Sequence, residues 1–456
     1  MQTLEDRRPL SRSRNELACV SVEAPVLSVA VVGGGYVGIP TALALTECGY
    51  DVVVLDIDPR RLDRIRSGAV DLSELDKGRL GKALGDGKLE LTEQASALER
   101  ADAVIVCVPT PIDEHLLPDL TSLRSACESV VENARRGQII VLTSTSYVGT
   151  TRDLLGEPLR ARGLVPGSDV FVAFSPERID PGNAVHRQET TPRVVGGITE
   201  ECARVASMVL VRTAPELHIV SSAEVAELTK LHENTFRAVN IALANEMADV
   251  CKTFGIDPKE VIDAAATKPF GFMPFYPGAG VGGHCIPCDP HYLLWQLRKE
   301  RLSTPVIESS MASIATRHER VVDAALACTP SRLKTLQRSA ASLSRNERDR
   351  FSLTTLVVGA SYKPGVEDVR EAPAVEIIKG LRERGAWVDY YDPLVQSITL
   401  SDGLTMLSVV DPRPGDYDVI VVVTMHEGFD YGWIAEADNV VDGTYSLTDI
   451  AHRILP

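Results

Sequence analysis

A chain of 456 residues has room for roughly two to four domains of ordinary size. With 44% hydrophobic and 24% charged residues it has the make-up of a folded globular protein, which excludes a mainly disordered chain. A net charge of −16 excludes any general attraction to nucleic acid or an anionic membrane; an anionic ligand needs a local pocket of backbone N–H groups and a few Lys or Arg.

Residues 1–25 have mixed charge and no apolar run of the kind a secretory signal carries, and read as a mobile, solvated lead-in. The most apolar stretch, residues 28–45, is broken by four glycines and a proline, so it does not read as a membrane span. The nine cysteines are odd in number and scattered, which is the pattern of reduced cysteines and of a cytoplasmic protein. Over residues 26–215 the apolar runs VLSVAVVG, DVVVLD, ADAVIVCV, QIIVLTS and DVFVAFSP alternate with helix-like segments. Runs apolar on both faces suggest a parallel sheet covered by helices. Residues 223–254 keep helical spacing with no internal Gly or Pro, predicting one helix of about thirty residues.

A Gly/Pro-rich loop follows at residues 269–290, then more helix through residue 328, so that residues 216–328 form a central helical domain. Residues 329–350 are polar and Arg/Ser-rich and read as a linker. LTTLVVGASYKPG, WVDYYDP, YDVIVVVT and DNVVDG then mark a second, smaller α/β unit over residues 351–456. The expected fold is α/β, with two Rossmann-like doubly wound domains joined by a long central helix and a helical domain.

The first strand ends in Gly33-Gly34-Gly35-Tyr36-Val37-Gly38, and only Gly33, Gly35 and Gly38 fit the GxGxxG register. The first permits the tight turn, the second lets backbone approach a pyrophosphate, and the third allows close helix–strand packing. Asp56 closes the next strand 23 residues after Gly33, where a carboxylate holds the ribose hydroxyls. NAD is the expected cofactor in preference to NADP, although Arg60 and Arg61 stand nearby and an arginine there accommodates a 2′-phosphate.

The loop GAGVGGHCIPCDPHYL holds the most reactive-looking group, Cys285, behind glycines 278, 280, 282 and 283 that let backbone wrap closely around a ligand. Three chemistries are open to it. Cys285 and Cys288 form a CxxC that suits a redox pair. His284, Cys285, Cys288, Asp289 and His291 offer metal donors, without a second ligand cluster elsewhere. Cys285 alone suits a thiolate nucleophile, with Asp289 four residues on. Lys230 and Asn234 share one face of the long helix. Glu177 follows a strand-like run, and Lys363, Asp368 and Arg370 follow the first strand of the second α/β unit, a place suited to anion binding.

VVGGGYVG, CVPTP, TSTSYVGT, SPERIDPG, ELTKLHENTFRAVNIALANE, GVGGHCIPCDP and YKPGVEDVREAP occur in this order. Together they resemble the UDP-glucose/GDP-mannose dehydrogenase family of NAD-dependent nucleotide-sugar 6-dehydrogenases over about residues 27–450. The resemblance implies oxidation of a sugar C6 alcohol to a carboxylate in two hydride transfers, with Cys285 forming a thiohemiacetal and then a thioester. It implies that Lys230 and Asn234 stabilise charge on the C6 oxygen and that Asp289 manages protons and water beside the cysteine. It implies that Thr145 and Glu177 orient the hydrolytic water. The NAD contacts it implies are Gly33, Gly35, Tyr36, Val37, Gly38, Asp56, Arg61, Thr110, Thr145 and, from the C-terminal domain, Arg370. On the sugar side it implies Glu177, Arg178, Lys230, Asn234, Phe275, Tyr276, Gly278, Gly282, His284 and Lys363, with no metal.

SPERIDPGN and GGHCIPCDP resemble the branch acting on UDP-N-acetylhexosamines, UDP-N-acetylglucosamine above all, with UDP-glucose and UDP-N-acetylmannosamine as the alternatives. Cys288 departs from that branch, where the position is usually aliphatic. The expected protein is a cytoplasmic homodimer that makes a uronic acid for surface polysaccharide or a glycoside. A non-catalytic NAD sensor and a zinc enzyme built on residues 284–291 are the rivals from other classes.

Overall fold

The computed structural model describes residues 28–70, 72, 74–178, 190–329, 353–450 and 452–456. The lead-in at residues 1–25, nearly all of the linker at residues 329–350 and the second half of SPERIDPG lie outside the described residues. The chain divides into two compact units, residues 1–231 and 232–456.

The first unit is built on eight strands: β1 (Ser28–Val32), β2 (Asp51–Leu55), β3 (Leu89–Thr92), β4 (Ala103–Val106), β5 (Ile139–Leu142), β6 (Phe171–Phe174), β7 (Arg193–Gly197) and β8 (Leu217–Val220). Their order is β3-β2-β1-β4-β5-β6-β7-β8, parallel throughout except where β7 joins β6 antiparallel. The central strands are apolar on both faces and buried, because crossover helices cover both sides. From β3 to β6 this is the doubly wound order, and the sequence reverses direction between β1 and β4, where such sheets open a crevice at their carboxyl ends. The sheet extends past the expected boundary near residue 215, to Val220. Sequence reading passed over β3, β7 and β8; β8 is a half-exposed edge without a continuous apolar run.

The long helix is Ala223–Phe254, 32 residues, with the bounds its spacing predicts. It begins in the first unit and runs on into the second. The second unit adds helices Pro258–Ala266, Asp289–Lys299, Pro305–Ala327 and Pro373–Glu383. Its strands are β9 (Thr354–Val358), β10 (Trp387–Tyr391), β11 (Ser397–Thr399), β12 (Thr405–Leu407), β13 (Val419–Val422) and β14 (Val440–Asp442). β10-β9-β13-β14 form a parallel sheet, and β11 and β12 pair as an antiparallel hairpin. Val321, Val322 and Ala325 of helix Pro305–Ala327 share one core with Ile377, Ile378 and Leu381 of helix Pro373–Glu383, beneath β9 and β13. Both sheets are Rossmann-like, as the sequence pattern predicts.

Candidate active site

At the switch point of the first sheet, the glycine turn is dictated by sterics. Gly33 has φ +99°, and a Cβ on it would stand 2.6 Å from the Cys107 carbonyl oxygen. A Cβ on Gly38 would stand 1.8 Å from the Gly33 oxygen, so only glycine opens the helix Gly38–Glu47 there. Gly35 differs: a Cβ on it would meet nothing within 4 Å, leaving open space before the helix N-terminus. Tyr36 and Val37 lie half-buried in the same turn.

Asp56 directly follows β2 and is buried. Its Oδ2 accepts the Gly34 N–H at 2.7 Å and faces the Arg61 guanidinium at 3.1 Å, while its Oδ1 accepts the Asp58 N–H at 2.9 Å. Arg61 is therefore engaged with the aspartate. Thr110 lies beyond β4 and Thr145 beyond β5, both half-buried. These residues fit NAD: the open space at Gly35 suits a pyrophosphate on a helix N-terminus, and Asp56, with acceptor capacity left on Oδ1, suits a ribose hydroxyl. NAD supplies a hydride acceptor.

Glu177 and Arg178 follow β6. The Lys230 Nζ donates to the Glu177 main-chain oxygen at 2.8 Å, so the lysine is anchored on the backbone of this segment. The Glu177 Oε1 accepts the Arg178 N–H at 2.7 Å, and the Arg178 guanidinium donates to the Pro192 oxygen at 3.0 Å. Two residues that sequence reading missed support the segment. Arg193, buried at the start of β7, donates through Nε to the Ser175 hydroxyl at 3.3 Å. Glu227, one turn before Lys230, accepts the Gly149 N–H at 2.5 Å and the Thr151 N–H and hydroxyl at 2.8 and 2.7 Å. It ties the turn after Thr145 to the long helix. Burial pushes Glu227 up to about 7 in spite of these three bonds. Burial, with the Glu177 charge adding to it, pushes the Cys107 thiol up to about 12, which keeps it protonated.

The second unit brings together Asn234, Cys285 and Asp289. Asn234 Nδ2 donates to Asp289 Oδ2 at 2.5 Å, and both side chains are buried. The Cys285 main-chain oxygen accepts the N–H groups of Cys288 at 3.2 Å and Asp289 at 2.8 Å. This turn sets Cys285, half-buried, immediately before helix Asp289–Lys299. Three of the loop glycines are held by close packing within the chain. A Cβ on Gly282 would stand 2.6 Å from the Tyr362 Cβ, and one on Gly280 3.0 Å from Pro373. Gly283 has φ +79°, and its N–H donates to the Arg370 oxygen at 3.1 Å. Gly278 alone has room around it; its N–H donates to Asn245 Oδ1 at 2.9 Å.

Phe275 packs edge-on against Phe236, and the Tyr276 hydroxyl donates to Asp263 at 2.7 Å. Lys363 and His284 are half-buried. Arg370 forms an ion pair with Asp368 at 2.6 Å, and its hydrogen bonds outweigh burial to hold Asp368 below the usual carboxylate range, with His284 contributing. Ser361, Asp392 and His426, also missed, form a buried cluster behind Lys363. Asp392 follows β10 and His426 stands four residues beyond β13, the carboxyl ends where polar residues of parallel sheets deserve suspicion.

None of the eight described cysteines forms a disulfide. Among the described residues no three His, Cys, Asp or Glu side chains gather as metal ligands, so the zinc reading of residues 284–291 has no cluster behind it. No described helix is long and apolar enough to cross a membrane.

A doubly wound sheet whose switch point carries this glycine turn and a buried aspartate defines a dinucleotide-binding protein. The chain belongs to the UDP-glucose/GDP-mannose dehydrogenase family. The family's NAD binding, central and UDP binding domains match residues 27–213, 224–313 and 356–449. A UDP-N-acetyl-D-glucosamine 6-dehydrogenase of Pseudomonas aeruginosa is 36% identical over 88% of this chain and 91% of its own. A UDP-N-acetyl-D-mannosamine dehydrogenase of Pyrococcus horikoshii is 34% identical over 88% and 90%. The solved UDP-D-ManNAc dehydrogenase from Pyrococcus horikoshii superposes with a TM-score of 0.79 at 30% identity, covering 91% of this chain and 95% of that one. The chain is an NAD-dependent nucleotide-sugar dehydrogenase.

Proposed function

We propose that the chain oxidises the C6 alcohol of a UDP-N-acetylhexosamine, UDP-N-acetylglucosamine in the first place, to the uronic acid. The observation that supports the chemistry is the Cys285 turn: a half-buried cysteine whose main-chain oxygen accepts the first N–H of helix Asp289–Lys299, the helix whose leading carboxylate is held by Asn234. Bound NAD+, held by the glycine turn and Asp56, would supply the hydride acceptor for both oxidations at C6, the first of which also releases the C6 hydroxyl proton to water. Lys230 and Asn234 supply a cation and an amide to the C6 oxygen as negative charge develops there. Cys285 Sγ adds to the aldehyde carbon, giving a thiohemiacetal; loss of its hydride and hydroxyl proton leaves the thioester. Thr145 and Glu177 orient the water that attacks the thioester carbonyl. The C–S bond then breaks, releasing the carboxylate and returning the thiol, with Asp289 managing the proton.

In this reading residues 26–215 bind NAD through Gly33, Gly35, Tyr36, Val37, Gly38, Asp56, Arg61 and Thr110, with Arg370 reaching the cofactor phosphates. Residues 216–328 carry the cysteine loop, and residues 351–456 bind the UDP-sugar. Arg178, Phe275, Tyr276, Gly278, Gly282, His284 and Lys363 line the sugar side. The protein works in the cytoplasm as a homodimer. The Pseudomonas aeruginosa relative supports the gluco sugar, and the Pyrococcus horikoshii likeness supports UDP-N-acetylmannosamine as the second reading. NADH formation against UDP-N-acetylglucosamine, UDP-N-acetylmannosamine, UDP-N-acetylgalactosamine, UDP-glucose and GDP-mannose decides. Two NADH per UDP-N-acetylglucosamine, with much weaker turnover of the others, is the expected result. No turnover of any of them returns the sensor reading.

A further inference from the structure

The segment 361–365 follows β9 and carries Lys363. It is held from behind by a buried network. Asp392 Oδ2 accepts the N–H groups of Ala360 at 2.7 Å and Ser361 at 3.1 Å, and Oδ1 accepts those of Leu394 and Val395 at 2.8 and 2.9 Å. His426 Nδ1 accepts the Gly365 N–H at 3.0 Å. An accepting Nδ1 puts the ring proton on Nε2, which lies 3.2 Å from Asp392 Oδ2 and 3.3 Å from Ser361 Oγ. The Ser361 hydroxyl donates to the Lys363 main-chain oxygen at 3.0 Å, and the Thr424 hydroxyl donates to the Ser361 oxygen at 2.9 Å. Burial alone would raise Asp392, but the bonds from His426 and the Val395 and Leu394 amides outweigh it and hold the group ionised.

The three residue types are those of a hydrolytic triad, but the wiring is different. In a triad the histidine contacts Asp and Ser through opposite ring nitrogens. Here one nitrogen, Nε2, faces both, and the other is occupied by a backbone amide. The hydroxyl is committed to a carbonyl, and Ser361, Asp392 and His426 are all buried. No proton relay to a nucleophile is possible in this arrangement. What the network does is fix both ends of the Lys363 loop. That loop is in turn a wall of the cysteine segment, since Gly282 and Gly283 are pressed against Tyr362.

We infer that His426 and Asp392 are positioning residues for nucleotide-sugar binding, clamping the Lys363 loop through the Gly365 amide and Ser361. The inference rests on the sugar-side role proposed for Lys363.

The test measures UDP and NAD+ affinity by titration calorimetry on the full chain carrying His426→Leu, His426→Asn or Ser361→Ala. Loss of a buried hydrogen-bond partner in His426→Leu should weaken UDP by about tenfold while NAD+ moves less than about twofold. His426→Asn, whose carbonyl oxygen can still accept the Gly365 N–H, should recover most of that loss. Such a rescue is not expected if the ring only fills space. Ser361→Ala removes one hydroxyl and should cost UDP about threefold, which keeps the question open to test if the leucine variant does not fold. Unchanged UDP affinity in folded variants, or equal weakening of UDP and NAD+, overturns the clamp. UDP binding needs no turnover, so failure of the C6-oxidation reading and failure of the clamp give different results.

Discussion

Asn234 holds Asp289 through a single 2.5 Å hydrogen bond from its amide nitrogen, between two side chains that are both buried. The bond fixes which end of the asparagine faces the carboxylate and leaves Asp289 an acceptor for its amide. Asn234→Asp would place two carboxylates at this distance, where they share one proton and titrate as a pair. The variant should lose most activity at neutral pH and regain part of it as pH falls. A pH–rate profile with the wild-type shape would show that the contact plays no part in turnover.

Cys285→Ser should lower net four-electron turnover by about a thousandfold or more, since an alkoxide adds poorly and an ester hydrolyses slowly. Cys288 is buried and turned inward at the start of the same helix, and Cys288→Ala should stay within about threefold of wild type. Steady-state NADH production reads both. A dead but folded Cys288→Ala would restore the redox pair.

Cofactor choice follows from the Asp56 carboxylate and its partner. A 2′-phosphate brought to a buried carboxylate is repelled, so NAD+ should be strongly preferred over NADP+. Asp56→Ala frees Arg61 from its 3.1 Å partner and should raise the KM for NAD+ about tenfold while improving the NADP+/NAD+ ratio of kcat/KM. A ratio unchanged by the substitution would remove Asp56 from the cofactor site.

The contrast between Asp56 and Glu227 shows what the sequence could and could not disclose. The glycine turn and Asp56 were legible because their reasons are local: a strand, a turn only glycine can make, and the next strand end. The long helix was legible to its terminal residues because nothing within it interrupts the spacing. Glu227 and His426 were not, since Glu227 meets Thr151 76 residues away and His426 meets Gly365 61 residues away. On the helix Glu227 reads as one more acidic surface residue. The glycines around Cys285 carry a second lesson: the close packing of Gly280 on Pro373 and of Gly282 and Gly283 on Tyr362 joins residues about 80 to 90 positions apart, which their spacing does not disclose.

Glu227 also makes stability depend on pH. Burial, helped by the nearby Glu224 charge, raises it from 4.5 to about 7 in the folded chain. The folded state therefore holds this proton more tightly than the unfolded one. Its contribution is complete below about pH 4.5 and is lost as pH rises through about 7, about 3 kcal/mol in all. The stability of wild type relative to Glu227→Gln should accordingly fall as pH rises from 5 to 8, measured by urea unfolding. Parallel curves across that range would mean the carboxyl does not titrate there.

The long helix also bears on assembly. At 32 residues it is about 48 Å long, and Leu231, Ala238, Ala242 and Ala248 are buried along it. Val225, Leu228, Phe236, Leu243, Met247, Val250 and Phe254 are exposed. Successive members are three, four, seven or eight residues apart, spacings that return to one side of a helix, so they form an apolar stripe along its length. Within one chain these side chains stay uncovered, and a second copy of the chain laid along the same stripe would bury them. Burying a Leu, Met or Phe side chain is worth about 1.5–3 kcal/mol, so several per copy suffice for a stable pair. Light scattering at micromolar concentration should give twice the chain mass. Leu243→Arg with Met247→Arg puts two charges mid-stripe and should give the single-chain mass with the fold intact by circular dichroism. A wild-type chain that is monomeric and fully active would refute the dimer and leave Lys230 and Asn234 in their proposed roles, since neither belongs to the exposed stripe.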